Sequence, residues 1–217
     1  TLALTGAHAQ SDSKWYGIAG LGTATVKSDI SDMSASSGTL SVSQTVDTSG
    51  NSFLGGVGYQ FDDQLAFEAQ YIDIRGLGAN QTITATNAIV NGTTINGSIT
   101  ANQDVKATAL AFSAKYDLKL GSNSKLYGRL GFTQVKVKND IAVNGSGTIG
   151  GRTGSVIANL SFDETKTVPL LGIGYEYDLS KTIALRAEYT HIDTVGQKNT
   201  TGESAVKMLT LQTKFKF

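Results

Sequence analysis

Cysteine is absent from these 217 residues, and proline occurs once. Disulfide scaffolds, thiol catalysis and cysteine metal sites are therefore excluded together, although the compartment stays open. Formal net charge is zero, which argues against a general nucleic-acid binder, because such a protein needs a basic excess on some domain or face. Histidine is scarce too: a nucleophilic triad could draw only on His8 or His191. No apolar run approaches the roughly 18 residues that a membrane helix needs. Hydropathy alone would assign the chain to water.

The first residues dispute that assignment. Thr1–Gln10 (TLALTGAHAQ) reads as the tail of a secretory signal, with Ala7-His8-Ala9 offering the small residues a signal peptidase requires. Residues 1–9 are then a signal remnant, 10–217 form the mature domain, and the chain is exported.

What is abundant is two-residue alternation. The last ten residues, MLTLQTKFKF, put Leu209, Leu211, Phe215 and Phe217 on one face of a strand and Thr210, Gln212, Lys214 and Lys216 on the other. Strand-like stretches recur at Lys14–Val26, Phe53–Phe61, Leu65–Arg75, Val105–Asp117, Lys125–Lys138, Thr167–Tyr177, Thr182–Val195 and Ala205–Phe217. Each is long enough for a tilted membrane strand of about 9–11 residues. The connections alternate in length: Asp62-Asp63-Gln64, Leu118–Ser124 and Asp178–Lys181 are short, whereas Lys27–Ser52, Gly76–Asp104 and Asn139–Lys166 are long and rich in Ser, Thr, Asn and Gly. That is the layout of an all-β, eight-stranded, antiparallel up-and-down barrel with short periplasmic turns and long extracellular loops.

A soluble lipocalin-like barrel or a sandwich could alternate as well, so the placement of aromatics decides. Trp15, Tyr59, Phe61, Phe67, Tyr116, Tyr127, Tyr175, Tyr177, Phe215 and Phe217 cluster near the short turns, and Phe53, Tyr71, Phe112, Phe132 and Tyr189 lie higher. Two girdles around an apolar band match what a membrane interface selects.

Several strands resemble those of the outer membrane protein A type of eight-stranded barrel. The resemblance rests on Trp15-Tyr16-Gly17-Ile18-Ala19-Gly20-Leu21-Gly22, Ala66-Phe67-Glu68-Ala69-Gln70-Tyr71, Lys125-Leu126-Tyr127-Gly128-Arg129-Leu130-Gly131, Gly174-Tyr175-Glu176-Tyr177 and Leu185-Arg186-Ala187-Glu188-Tyr189. It implies a bacterial outer-membrane location, a terminal Phe217 read by the barrel-assembly machinery, and a barrel without the peptidoglycan-binding domain of many members. It also implies a lumen blocked by ion pairs, and it leads one to expect an inward Lys where this chain has Gly20, so a looser network.

Lipid contact requires an apolar outer face. Leu65, Phe67, Ala69 and Tyr71 then point out, and the same parity sends Glu68, Gln70, Lys115, Arg129, Glu176, Arg186 and Glu188 inward. The six charged residues are expected to form one network in the periplasmic half, since paired carboxylates and guanidinium groups satisfy one another. Above it, inward Gly56, Gly58, Ala109, Ala111, Gly172 and Gly174 should leave room for water. Outside, Lys27, Arg75, Lys106, Lys136, Lys138 and Lys207 form a basic rim at the long-loop ends, suited to the phosphates of lipopolysaccharide or simply to solvent.

Parity places His191 on the outer wall, against catalysis, and the glycines of Gly17–Gly22 lack the order and the helix of a nucleotide loop. No cofactor or metal site is expected. Asn91-Gly92, Asn96-Gly97 and Asn144-Gly145 read as hairpin turns, and the run ITATNAIVNGTTINGSITAN predicts a hairpin extending beyond the membrane, against the alternative of a disordered loop. The leading function is a non-enzymatic, monomeric barrel that displays loops, stabilises the envelope and contacts outer-membrane lipids. A small diffusion channel, a barrel enzyme and a secreted soluble β-domain remain the alternatives.

Overall fold

The computed structural model describes residues 14–27, 32–197 and 202–217, and the regular elements in them are strands: β1 (Trp15–Val26), β2 (Met33–Ser37), β3 (Leu40–Asp47), β4 (Ser49–Gln60), β5 (Leu65–Val90), β6 (Thr93–Lys119), β7 (Ser124–Ile149), β8 (Arg152–Asp178), β9 (Ile183–Gln197) and β10 (Gly202–Lys216). The signal reading of residues 1–9 falls outside the described residues. Eight strands form the ring β5-β4-β1-β10-β9-β8-β7-β6, closed by pairing of β5 with β6. Closure satisfies every wall strand on both edges, which a lipid environment demands because no water is present to take an unpaired amide.

Side chains at the short turns fix them. The Asp62 carboxylate accepts the N–H groups of Gln64 and Leu65, each at 2.8 Å, and these bonds hold its carboxyl below the usual carboxylate range. Ser180 does the same for Thr182 and Ile183. The girdles face out as expected: Trp15 packs edge-on against Tyr59 at 5.1 Å, and Phe112 lies 6.0 Å from Phe132 across β6 and β7. Tyr127 is the exception, buried in the lumen.

The long connections depart furthest from expectation. Most of Gly76–Asp104 and Asn139–Lys166 is not loop: β5, β6, β7 and β8 run on for 26 or 27 residues each. Part of Lys27–Ser52 forms the β2–β3 hairpin, and β3 pairs with the upper half of β5. A six-stranded sheet, β2-β3-β5-β6-β7-β8, thus rises from one side of the barrel. The expected hairpin is present, and it turns at Asn91-Gly92, both with positive φ. Asn96-Gly97 and Asn144-Gly145, however, sit inside β6 and β7. Gly97 serves close backbone approach, because a Cβ there would stand 2.5 Å from the Ser146 carbonyl oxygen, and Gly145 makes room for the side chains of Ile99 and Val156. The β7–β8 turn is instead Gly150-Gly151, at φ +56° and +81°.

A bulge at Gly76, φ +84°, shifts the register of β5 between Ile74 and Leu77. Below it the even-numbered residues of β5 face the lumen, and above it the odd-numbered ones do as far as Ala85, where a second irregularity before Ala88 shifts the register again. The inner face of the extension therefore carries Leu77, Ile83, Ile99, Val143, Val156 and Leu160, continuous with the lumen. Its outer face is hydroxylic and amidic, with Thr82 against Thr100 and Thr84 against Ser98. Threonine suits this position, since a β-branched side chain fits a pleated surface and its hydroxyl faces water.

Candidate functional site: the lumen and the charged rim

Inward parity on five strands, β5 to β9, brings the expected charges together at the periplasmic end. Glu68 accepts hydrogen bonds from Arg186 Nη1 at 3.0 Å, Arg129 Nη1 at 3.3 Å, Gln70 Nε2 at 3.1 Å and the Tyr16 hydroxyl at 2.8 Å. Glu188 receives Arg129 Nη2 at 3.1 Å, Arg186 Nη2 at 3.3 Å, the Tyr127 hydroxyl at 2.8 Å and Thr190 Oγ1 at 2.6 Å. Glu176 meets Lys115 at 3.3 Å and Lys214 at 3.1 Å, and Arg186 Nε at 3.8 Å joins it to the other two acids. All six residues named from the sequence belong to one connected set, and all are buried.

Four buried members were missed, and Lys125, less deeply buried, also reaches Glu176 at 3.5 Å. Asp117 binds Lys115 at 2.5 Å, and Lys214 adds a fourth base, so Glu68, Asp117, Glu176 and Glu188 balance Lys115, Arg129, Arg186 and Lys214. The signal for Lys214 was present in the alternation of the last strand. Tyr16 and Tyr127 supply ring faces as well as hydroxyls: Lys214 Nζ lies 4.1 Å from the Tyr16 centroid, and Lys115 and Arg186 flank Tyr127 at 4.7 and 4.6 Å. Gly20 does not loosen this set. A Cβ there would come within 2.7 Å of Gln212 Cγ, and the lysine comes from β10 instead of β1.

The small inward residues admit side chains where water was expected. A Cβ on Gly58 would be 2.2 Å from the Tyr16 ring, one on Gly174 2.3 Å from the Tyr127 ring, and one on Gly56 2.9 Å from Gln70 Cγ. Gly172 faces Arg129 and Glu188, while Ala109 and Ala111 belong to an apolar cluster. That cluster lies in the upper lumen and includes Ile72, Ile74, Val135, Leu170, Ile192 and Met208, all buried. Between it and the charges lies a polar belt that includes Gln70, Thr133, Thr190, Thr210 and Gln212. From periplasm to exterior the interior runs ionic, polar, apolar.

On the outer rim, Lys27, Arg75, Lys106, Lys136, Lys138 and Lys207 are exposed. They do not make a bare positive ring. Arg75 pairs with Asp73 at 2.6 Å, Lys106 with Asp104 at 2.8 Å, Lys136 with Asp163 at 3.0 Å and Lys138 with Asp140 at 2.8 Å. Hydrogen bonds from Lys138 and Ser161 hold the Asp140 carboxyl below its usual range, and the bond to Asp104 raises Lys106 above its own. His191 sits half-buried on the outer wall, in register with Leu171 and Lys207. Phe217 closes the wall from outside, its ring 3.4 Å from where a Gly17 Cβ would stand.

A closed ring of eight strands, apolar and girdled by aromatics outside, with its charges turned inward, is a β-barrel of the bacterial outer membrane. The chain belongs to the family of OmpA-like transmembrane domains, whose sequence model matches residues 10–217. It is similar in structure to Neisserial surface protein A, at 17% identity over 94% of this chain and 98% of that one, with a TM-score of 0.53. The N-terminal β-barrel domain of Pseudomonas aeruginosa OprF is similar at 12% identity and TM-score 0.50, again over 94% and 98% of the two chains. At such identities the likeness is one of fold. No curated protein matches the chain significantly.

Proposed function

We propose that this protein is a non-enzymatic, closed outer-membrane barrel that anchors an extended sheet at the cell surface and stabilises the envelope. The observation that carries the reading is the burial of inward side chains along the barrel, with eight paired charges below, a polar belt between and aliphatic side chains above. An eight-stranded barrel is just wide enough to be filled by its own side chains, and an apolar layer opposes an ion even where water could enter. Planar bilayers loaded with the purified protein should show no single-channel steps. Regular steps would instead establish the small diffusion channel.

The rim extends the same reading to lipid. Lipopolysaccharide phosphates accept charge-assisted hydrogen bonds from cations that are not already paired. Among the described residues, Lys27 and Lys207 have no acidic partner on the rim, and they end adjacent strands, since Thr25 is in register with Lys207. The K27Q/K207Q variant should therefore lose more co-purifying lipopolysaccharide than K106Q/K136Q/K138Q. Equal retention by both would leave the rim as a solvated edge.

Phe217 is proposed as the outward aromatic that the assembly machinery reads. F217A should accumulate unfolded in the periplasm, seen as loss of the heat-modifiable folded band on gels. A normal yield of folded protein would remove the role.

A further inference from the structure

The raised sheet ends at β8, and its edge there is open. β9 pairs with β8 only from Asp178 to Leu170, so among the described residues no strand is hydrogen-bonded to Arg152–Pro169 on the side away from β7, although Lys166 reaches Glu203 of β10 at 3.5 Å. Half of the amides and carbonyls along that stretch point outward without a strand partner. Natural edges are usually protected by lysine, proline or inward charge. Here residues 153–162 (TGSVIANLSF) hold none of these, and Ile157 is 75% exposed. Such a segment is a template for another extended backbone.

We propose that this edge pairs with the same edge of a second copy, antiparallel, across two facing membranes. The proposal rests on the reading that the raised sheet stands outside the membrane. Three features of the edge select the partner. First, an isologous antiparallel pair keeps inner face to inner face only when residue numbers in register sum to an even value, because the side-chain period is two. Second, the edge is self-complementary in one such register. With Ala158 opposite its own copy, Val156 meets Leu160, Gly154 leaves room beside Phe162, and Arg152 meets Glu164 of the partner, twice by symmetry. Sliding by two residues one way sets Arg152 against Lys166, and sliding the other way leaves Glu164 beyond the end of the strand. Third, neighbours in one membrane all run β8 from the outer tip toward the periplasm, so their edges are parallel. Only a copy in an opposing membrane presents the strand reversed. At about 3.3 Å per residue, the 13 residues from 152 to 164 give a contact on the order of 40 Å long.

The test uses phosphatidylcholine vesicles carrying the whole purified chain, with light scattering as the readout and gel mobility of unboiled samples as the check on folding. Vesicles with the parent chain should aggregate, raising scattering severalfold. R152E vesicles and E164R vesicles should each stay dispersed, since both symmetric contacts then join like charges. Mixing the two variants should restore aggregation, because every cross-contact becomes opposite in sign. The proposal is overturned if parent vesicles stay dispersed, if either variant alone aggregates like the parent, or if the mixture of two folded variants stays dispersed. Lumen conductance does not enter this readout, so a conducting barrel would sink the closed-barrel reading and leave this one standing.

Discussion

Arg186→Ala should lower the unfolding free energy by about 3–5 kcal/mol, the range seen when one partner of a buried ion pair is removed. Arg186 is fully buried and reaches Glu68, Glu188 and Glu176, the three acids contributed by β5, β9 and β8. Without it, Glu68 and Glu188 keep Arg129 as their one basic partner, and four fully buried acids face three fully buried bases. The Tyr127 hydroxyl also loses the Arg186 Nε donor at 3.1 Å. Urea unfolding in lipid vesicles, followed by the shift between folded and unfolded gel bands, measures the loss. Lys136→Ala, which breaks a pair with both side chains more than half exposed, should shift the midpoint hardly at all. Equal shifts for the two variants would mean that the inner charges are solvated.

Ile72→Ala and Leu170→Ala should each cost about 2–5 kcal/mol, as large-to-small changes at fully buried sites do. The loss comes from the transferred methyl and methylene groups and from the void left among neighbours that relax only in part. In the proposed closed barrel neither variant should conduct, because the ionic layer beneath remains intact. If Leu170→Ala opened steps in a planar bilayer while Arg186→Ala did not, the seal would lie in the upper layer alone. The same unfolding assay separates this from a wet upper lumen, in which both aliphatic substitutions would cost far less.

The barrel was legible because a membrane wall enforces strict alternation, and a single lipid-facing residue on a strand sets the direction of the rest. Glu68, Arg129 and Arg186 followed from that rule alone. Lys214 obeys it equally, but its strand was read for its outward aromatics. Tyr127 misled because an aromatic near a short turn fits a girdle by position, whereas its parity, shared with Arg129, is inward. The water expected beside Gly58 and Gly174 failed for a related reason. A missing side chain marks space, and only the fold tells which neighbouring ring takes it. The long connections were hidden by composition: Ser, Thr, Asn and Gly signal loops, yet here they alternate with Ile, Val and Ala in the pattern of a one-faced sheet. No residue-type signal separates Asn96-Gly97, within a strand, from Asn91-Gly92, which turns.

The bulge at Gly76 sets a rule for how this chain can change in length. It exchanges odd for even on β5, so the numbering phase of the membrane wall and that of the raised sheet differ by one from Leu77 to Ala85, where a second irregularity before Ala88 shifts β5 again near the tip, while β6 passes through unshifted. Insertions or deletions at the hairpin tips are neutral to both phases when they come in matched pairs across a turn. A single residue gained or lost between Ile74 and Leu77 is different, because it would rotate the apolar face of the upper β5 toward water and pull β3 and β6 out of step with it. Surface variation in this protein should therefore accumulate in even steps at the tips, with the count of residues through the bulge held constant.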